Sequence, residues 1–413
     1  MTLFEFVKSF RNIKTLKSKI LENHNPWIRI MIYAVSLFLC IRIISSLILL
    51  LGTMQPPSVI PNETYAYQTY QELANSNNFT KYFISPWFRW DTVNYLGISE
   101  NGYNDNPLYT VWPPLYPFLI KAFSIVFKPP LFAAIIISNL FFIIGIVFFL
   151  NLITEFFDES FAKTSLFYLI LFPTSFYLIA PYTESIFLAL SLAVIYASVK
   201  KNWLVAGILC GFASLTRVQG VLLIIPIFVE GMIAYKKSRD KKFLIRFLPA
   251  ILFAPMTYGI YCLYVRYGLI ADWPWTTLSS FWGQHFGWPW EGIIGNLSAL
   301  FGNNAEIDVT MPFIKLLTVI VTLFAIFFCF KASRKLPLSI SIYSFAVIIL
   351  ALCKVDNQSL MVSTMRYLLP VFPIFIGQAM VMDKKWMKIL YFAFGVGVNL
   401  VFIIFNYWWI WVA

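Results

Sequence analysis

The run Ile30-Met-Ile-Tyr-Ala-Val-Ser-Leu-Phe-Leu-Cys-Ile-Arg-Ile-Ile-Ser-Ser-Leu-Ile-Leu-Leu-Leu51 decides the fold class. It is long enough to cross the ~30 Å hydrocarbon core as a helix, and a single charge, Arg42, interrupts it. The polar, basic residues 1–26 ahead of it do not read as a cleavable leader, so the run is expected to act as a signal anchor after a basic N-terminus at 1–28. Further apolar runs follow at 131–151, 161–179, 182–199, 243–266, 311–331, 336–352, 364–382 and 386–411. The stretch 203–235 reads as two short spans meeting at Thr216-Arg217-Val218-Gln219-Gly220. Residues 114–128 carry Pro117 and Lys121 and would reach only ~22 Å as a helix, which suits a re-entrant or interfacial segment. The expected fold is an all-α polytopic membrane protein of about eleven transmembrane helices, with residues 29–413 as one domain.

Composition agrees. The chain has 413 residues, 60% hydrophobic and 12% charged, whereas soluble domains carry roughly 45–50% apolar and about 25% charged residues. The net charge of +12 is not a nucleic-acid signal, because its bases fall in short clusters between the apolar runs. Placing those clusters (Lys8 to Arg29, Lys200-Lys201, Lys236 to Arg246, Lys331 to Lys335, Lys384 to Lys388) inside leaves loops 52–113 and 267–310 outside. The first outer loop holds Glu63, Glu72, Asp91, Glu100 and Asp105 against Lys81 and Arg89. The second holds four acids and no Lys or Arg. Glu155, Asp158 and Glu159 fall on the inner side and fit less well. The five cysteines are scattered within apolar runs and read as small core residues.

The first outer loop contains Phe88-Arg-Trp-Asp-Thr-Val-Asn-Tyr95. As a helix it would set Asp91 and Tyr95 on one face and Trp90 and Asn94 on the next. A carboxylate held beside aromatic walls at a bilayer surface suits a general base acting on a hydroxyl. The plainer reading makes Asp91 the N-cap of a surface helix with Arg89 as its ion-pair partner. Three more polar islands, Tyr182-Thr183-Glu184-Ser185, the Arg217 break and Arg366-Tyr367, are placed on the same side by this topology. Charges within membrane segments point to function by default, although a Glu184–Arg217 or Glu184–Arg366 pair could serve only to tie helices together. Arg42, in mid-span, is a candidate for a lipid phosphate or an acidic partner. In the second outer loop Trp282, Gln284, His285 and Trp288 could recognise a sugar, with interface anchoring as the ordinary alternative. Two histidines allow no His-based metal site or catalytic triad, and no nucleotide motif is present; a divalent-metal need is left open.

Arg89-Trp90-Asp91 with Gly102-Tyr103, Pro113-Pro114-Leu115-Tyr116-Pro117, Phe172-Pro173-Thr174-Ser175, Tyr182-Thr183-Glu184-Ser185, Thr216-Arg217 before Gly220, and Arg366-Tyr367 before Pro370 occur in this order. Together they resemble the PIG-V family, the GPI mannosyltransferase 2-like members of the GT-C glycosyltransferases. The resemblance implies a polyprenyl-phosphate sugar donor, typically mannose, transferred with inversion at the outer or lumenal face. It makes Asp91 the essential acid of the first outer loop. It assigns Arg217, Arg366 and Arg42 to the donor phosphate or lipid, and Arg89, Trp90, Asn94, Tyr182, Glu184 and Tyr367 to site architecture. The acceptor would be a glycan, lipid or protein, and the compact chain resembles prokaryotic members. The membrane would be the plasma membrane in a prokaryote or the endoplasmic reticulum in a eukaryote. A transporter or flippase of a lipid-linked substrate, or a GT-C transferase of another sugar, is the rival reading.

Overall fold

The computed structural model describes residues 25–53, 64–300, 311–356, 360–361 and 363–412. The basic residues Lys8 to Lys19 therefore lie outside the described residues, as do Glu63, Glu306 and Asp308. Among the described residues the structure is helical apart from one two-stranded ladder, and six helices are long and apolar enough to cross a membrane. These six are Pro26–Gly52, Pro130–Thr154, Val218–Ser238, Lys241–Gly268, Pro312–Ser333 and Lys385–Tyr407. Shorter apolar helices run at Glu184–Val199, Trp203–Ser214 and Leu338–Cys353. The chain is an integral, multi-pass membrane protein.

Helix boundaries follow local chemistry. Asn25, Asp158 and Asp240 cap their helices through side-chain oxygens that accept from Trp27 N, Phe161 N and Lys242 N. Arg239 closes the preceding helix in a left-handed conformation at φ 56°. The acids that fitted the charge pattern poorly are engaged locally: Glu155 accepts from Lys200, and Glu159 from Lys163, both at 2.6 Å. Helices meet closely where small residues line the contact. Ala206 and Ala213 of Trp203–Ser214, and Ala250 and Ala254 of Lys241–Leu263, are all buried.

Three expected spans are broken, and prolines or aromatic side chains account for the breaks. The run 161–179 is helical only over Glu159–Ile170, because Pro173 disfavours helix for its predecessor and supplies no N–H. After it comes a 3₁₀ turn at Ser175–Leu178. The run 364–382 divides into Thr364–Leu368 and Pro373–Val381 around Pro370, with Pro373 at the start of the second helix where its fixed φ is tolerated. The last helix ends at Tyr407, and Trp408 to Val412 fold back onto the protein instead of continuing. Residues 114–128 form only the short helix Leu115–Phe123, and the polar break in 203–235 is a non-helical turn at Thr216-Arg217. The breaks at Pro173, at Arg217 and ahead of Pro370 bring Thr174, Arg217 and Arg366 to one region of the fold.

Candidate active site around Asp91

Asp91 is the first residue of the helix Asp91–Asn101, and Trp90, not Asp91, occupies the N-cap position. The carboxylate in the first turn is favoured by the helix dipole. Trp90 has φ 51° and ψ −123°, a conformation that costs a bulky residue on the order of 1–3 kcal/mol. Strain at this junction turns the chain sharply before Asp91. The helix is mostly buried, with Val93, Tyr95, Leu96 and Ile98 in the core, and it closes at Gly102, whose φ of 81° suits a residue without Cβ.

Arg89 does not pair with Asp91, contrary to the capping alternative. It is 1% exposed and donates to the carbonyls of Tyr407 at 2.7 Å, Phe88 at 2.8 Å and Ser85 at 3.3 Å. The partner of Asp91 comes from the far end of the chain: Arg366 Nη2 donates to Asp91 Oδ2 at 2.9 Å. Arg366 also reaches Glu184 Oε1 at 2.7 Å, and Arg217 Nη1 donates to the same oxygen at 2.5 Å. One buried glutamate oxygen thus bridges two arginines, and one of these arginines carries the aspartate. Glu184 and Arg366 are 2% and 4% exposed, whereas the Asp91 side chain keeps 20% of its surface open.

Hydrogen bonds between the motifs fix this geometry. Tyr182 donates through its hydroxyl to the Arg89 carbonyl at 3.0 Å, and Thr92 donates to the Pro181 carbonyl at 3.3 Å. Tyr95 and Thr183 share a bond of 3.3 Å, which uses the face predicted for Asp91 and Tyr95. Leu115 N donates to Leu215 O at 3.0 Å, tying the double-proline motif to the Arg217 break. Thr174 donates to Met365 O at 3.3 Å, tying the Phe172-Pro173-Thr174-Ser175 turn to the segment bearing Arg366. Gly220 lets this break fold against the helix Trp203–Ser214, since a Cβ there would overlap the Ala213 carbonyl. Short polar turns at helix ends, each fixed by a neighbour's backbone, therefore hold the charged cluster in place.

Aromatic faces enclose the cations. The Arg366 guanidinium lies over Tyr177 at 4.6 Å, Tyr182 at 5.0 Å and Trp411 at 5.7 Å. Arg217 lies over Tyr367 at 5.2 Å, and Lys354 Nζ donates to the Tyr367 hydroxyl at 3.0 Å. Glu184 and Asp91 both face the Arg366 guanidinium. Three cations and two acids thus gather among tyrosine and tryptophan rings, with Asp91 the more exposed of the two acids.

The other sequence candidates lie at varying distances from this network. Arg42 stacks on Trp87 at 4.7 Å and donates to the Ile179 carbonyl at 3.2 Å, so it braces the first span against the turn before Tyr182 and does not join the acids. Asn94 is half-buried on the Asp91 helix. In the second outer loop Gln284 donates to the buried Asp356 at 3.2 Å, and His285 forms a strand pair with Val355. Trp288 is exposed and stacks on Trp290 at 5.2 Å, and nothing is described for the Trp282 side chain. This strand pair docks the loop beside Lys354. Among the described residues no group of His, Cys, Asp or Glu is arranged to hold a metal ion.

Sequence reasoning missed Lys354 and the terminal Tyr407, Trp409 and Trp411. Lys354 follows an apolar run and resembles a charge at a membrane edge. The terminal aromatics resemble an interface belt. Only long-range contacts separate either from those ordinary roles.

With this geometry in place, residues 111–258 match the family described as dolichyl-phosphate-mannose-protein mannosyltransferase. GPI mannosyltransferase 2 of Schizosaccharomyces pombe is 29% identical over 164 residues, 38% of this chain and 34% of that protein. The chain thus matches about a third of the length of that curated relative. No solved structure matches the chain. The resemblance to GT-C mannosyltransferases drawn from the motifs is borne out by these two similarities. The family match takes in Tyr182, Glu184 and Arg217, and lies between Asp91 and Arg366 in sequence.

Proposed function

We propose that the protein is a mannosyltransferase that moves mannose from a polyprenyl-phosphate donor to an acceptor hydroxyl at the outer membrane face, with inversion. The observation that carries this reading is the partly exposed Asp91 carboxylate, tied by Arg366 to Glu184 and Arg217 among aromatic rings. Asp91 takes the acceptor's hydroxyl proton as that oxygen attacks the anomeric carbon. The bond from that carbon to the phosphate oxygen breaks, and the polyprenyl phosphate leaves as an anion. Arg217 and Arg366 stabilise the charge that develops on it. Arg366 further orients Asp91, and Glu184 keeps the two arginines together despite their like charge. Aromatic rings of the second outer loop meet the acceptor. Metal chemistry is left open in this scheme.

The proposal includes the whole-chain organisation: one domain over 29–413, an inside N-terminus, eleven membrane crossings, and outer loops at 52–113 and 267–310. The six long and three shorter apolar helices support it. Transfer of labelled mannose from polyprenyl-phosphate mannose, measured in membranes carrying the wild-type chain or Asp91→Asn, tests the reading. The variant is expected to lose about 10²–10⁴-fold in rate. Equal transfer by the two chains removes Asp91 from the mechanism. Passage of the lipid-linked sugar across the bilayer with no covalent product would favour a transporter.

A further inference from the structure

The Trp90 strain needs a restraint, and the restraint lies at the opposite end of the sequence. Trp90 packs against Trp411 at 5.1 Å and Trp409 at 5.7 Å between ring centroids. Trp409 itself has φ 60°, so two non-glycine residues in the left-handed region face each other across this contact. Arg89, immediately before Trp90, donates to the Tyr407 carbonyl, and its guanidinium lies over Tyr407 at 4.7 Å and Trp409 at 5.1 Å. Trp411 also covers Arg366, the residue that holds the Asp91 carboxylate. The indole N–H groups of Trp90, Trp409 and Trp411 are buried and meet no hydrogen-bond acceptor among the described residues. Ring faces and cations, not indole hydrogen bonds, therefore set these positions.

We propose that Arg89 and the Tyr407–Trp411 turn are a positioning clamp. It holds the Trp90 backbone in its strained conformation and so aims the Asp91 carboxylate at the reacting hydroxyl. Arg89 grips the turn from below and Trp411 closes it above, touching both Trp90 and Arg366. The clamp residues touch no reacting atom in this scheme and act through Asp91 and the Arg366 that holds it. This inference rests on the proposed mannosyl transfer for its kinetic consequence, but not for its geometric one.

The test uses the full chain in membranes and four variants: Trp411→Ala, Trp411→Phe, Arg89→Lys and Arg89→Gln. A displacement of about 1 Å at a reacting group can cost about 10²-fold in rate. Trp411→Ala and Arg89→Gln are expected to lower kcat by about that factor, with KM for the polyprenyl-phosphate donor within twofold of wild type. Trp411→Phe keeps a ring on Trp90 and should recover most of the loss, whereas Arg89→Lys, which loses the planar fork, should recover little. Unchanged kcat in Trp411→Ala, or losses that vanish once rates are normalised to folded protein, would overturn the clamp.

A second measurement is independent of transfer. Asp91→Cys is treated with a membrane-impermeant thiol reagent, scored against the background of the chain that retains Asp91. Adding Trp411→Ala is expected to change the modification rate at least fivefold, and Trp411→Phe to leave it nearly unchanged. Equal rates in the presence and absence of Trp411→Ala overturn the clamp even if the chain transfers no mannose. A wild-type chain without transfer, together with the expected labelling change, defeats the proposed function and leaves the clamp standing as geometry.

Discussion

At the residue scale, Glu184 shows why burial decides the worth of an ion pair. Its Oε1 accepts from both Arg217 and Arg366, and its side chain is 2% exposed. Removing one partner of a buried pair leaves an uncompensated charge and costs about 3–5 kcal/mol. Glu184→Ala strips Arg217 of its carboxylate and leaves Arg366 with Asp91 alone, so its melting temperature in detergent should fall well below wild type. Lys163 and Glu159 form an i,i+4 pair at 2.6 Å with side chains 42% and 52% exposed. Such pairs contribute about 0.3–0.5 kcal/mol, and Lys163→Ala should melt within a degree or two of wild type. Similar drops in the two variants would mean that the Glu184 cluster is hydrated and not the closed network described here. The candidate residues of this cluster were legible in sequence because charges are costly within apolar runs. Their pairing was not. Either arginine could have paired with Glu184, and the structure gives it both. Asp91 looked as much like a capping residue with Arg89 beside it, and only the three-dimensional contacts reassign Arg89 to the Tyr407 carbonyl.

At the scale of elements, interruptions of the helices matter more to the site than the helices themselves. The stretch 203–235 was readable as two pieces because Thr216-Arg217 cannot sit comfortably in an apolar helix. The turns at Pro173 and Pro370 were hidden, since hydropathy averages over a proline that backbone sterics do not tolerate. Each turn delivers a polar group: Thr174 ties to Met365, and the Arg217 break places a cation on Glu184. Gly220 makes the second turn possible. A methyl group at that position would overlap the Ala213 backbone, which has no flexible end that can move away. Gly220→Ala is therefore expected to push the break outward, destabilise the chain by about 1–3 kcal/mol and cut mannose transfer at least tenfold at equal folded amount. Gly259, within the helix Lys241–Leu263, has open space where its Cβ would be. Gly259→Ala should be neutral or slightly stabilising, as alanine is the better helix former. If both substitutions behave alike in thermal melts and transfer assays, close packing of the break does not position Arg217.

At the scale of the whole molecule, everything proposed for Asp91 depends on which face of the bilayer it occupies. The charge argument is global: basic clusters alternate with two acid-rich loops, and one orientation puts all five clusters, 20 of the 31 Lys and Arg, inside. The structure supplies two exposed side chains that report on it from opposite ends of the fold. Phe286 lies in the second loop's strand and is 81% exposed, and Lys237 is an exposed residue at the other end of the helix that begins after the Arg217 break. In sealed right-side-out vesicles, Phe286→Cys should react with a membrane-impermeant thiol reagent, whereas Lys237→Cys should react only after the vesicles are permeabilised. The second loop joins the site through the pairing of His285 with Val355, next to Lys354, so a residue labelled in that strand fixes the side on which the site opens. The opposite pattern would place Asp91 at the cytoplasmic face. A donor flipped to the outer leaflet could then not reach it, and the polyprenyl-phosphate reading would have to give way to a reaction fed from inside the cell. Labelling of both positions in intact vesicles would mean mixed insertion. The positive-inside argument would then fail for this chain, and with it the expectation of a single active face.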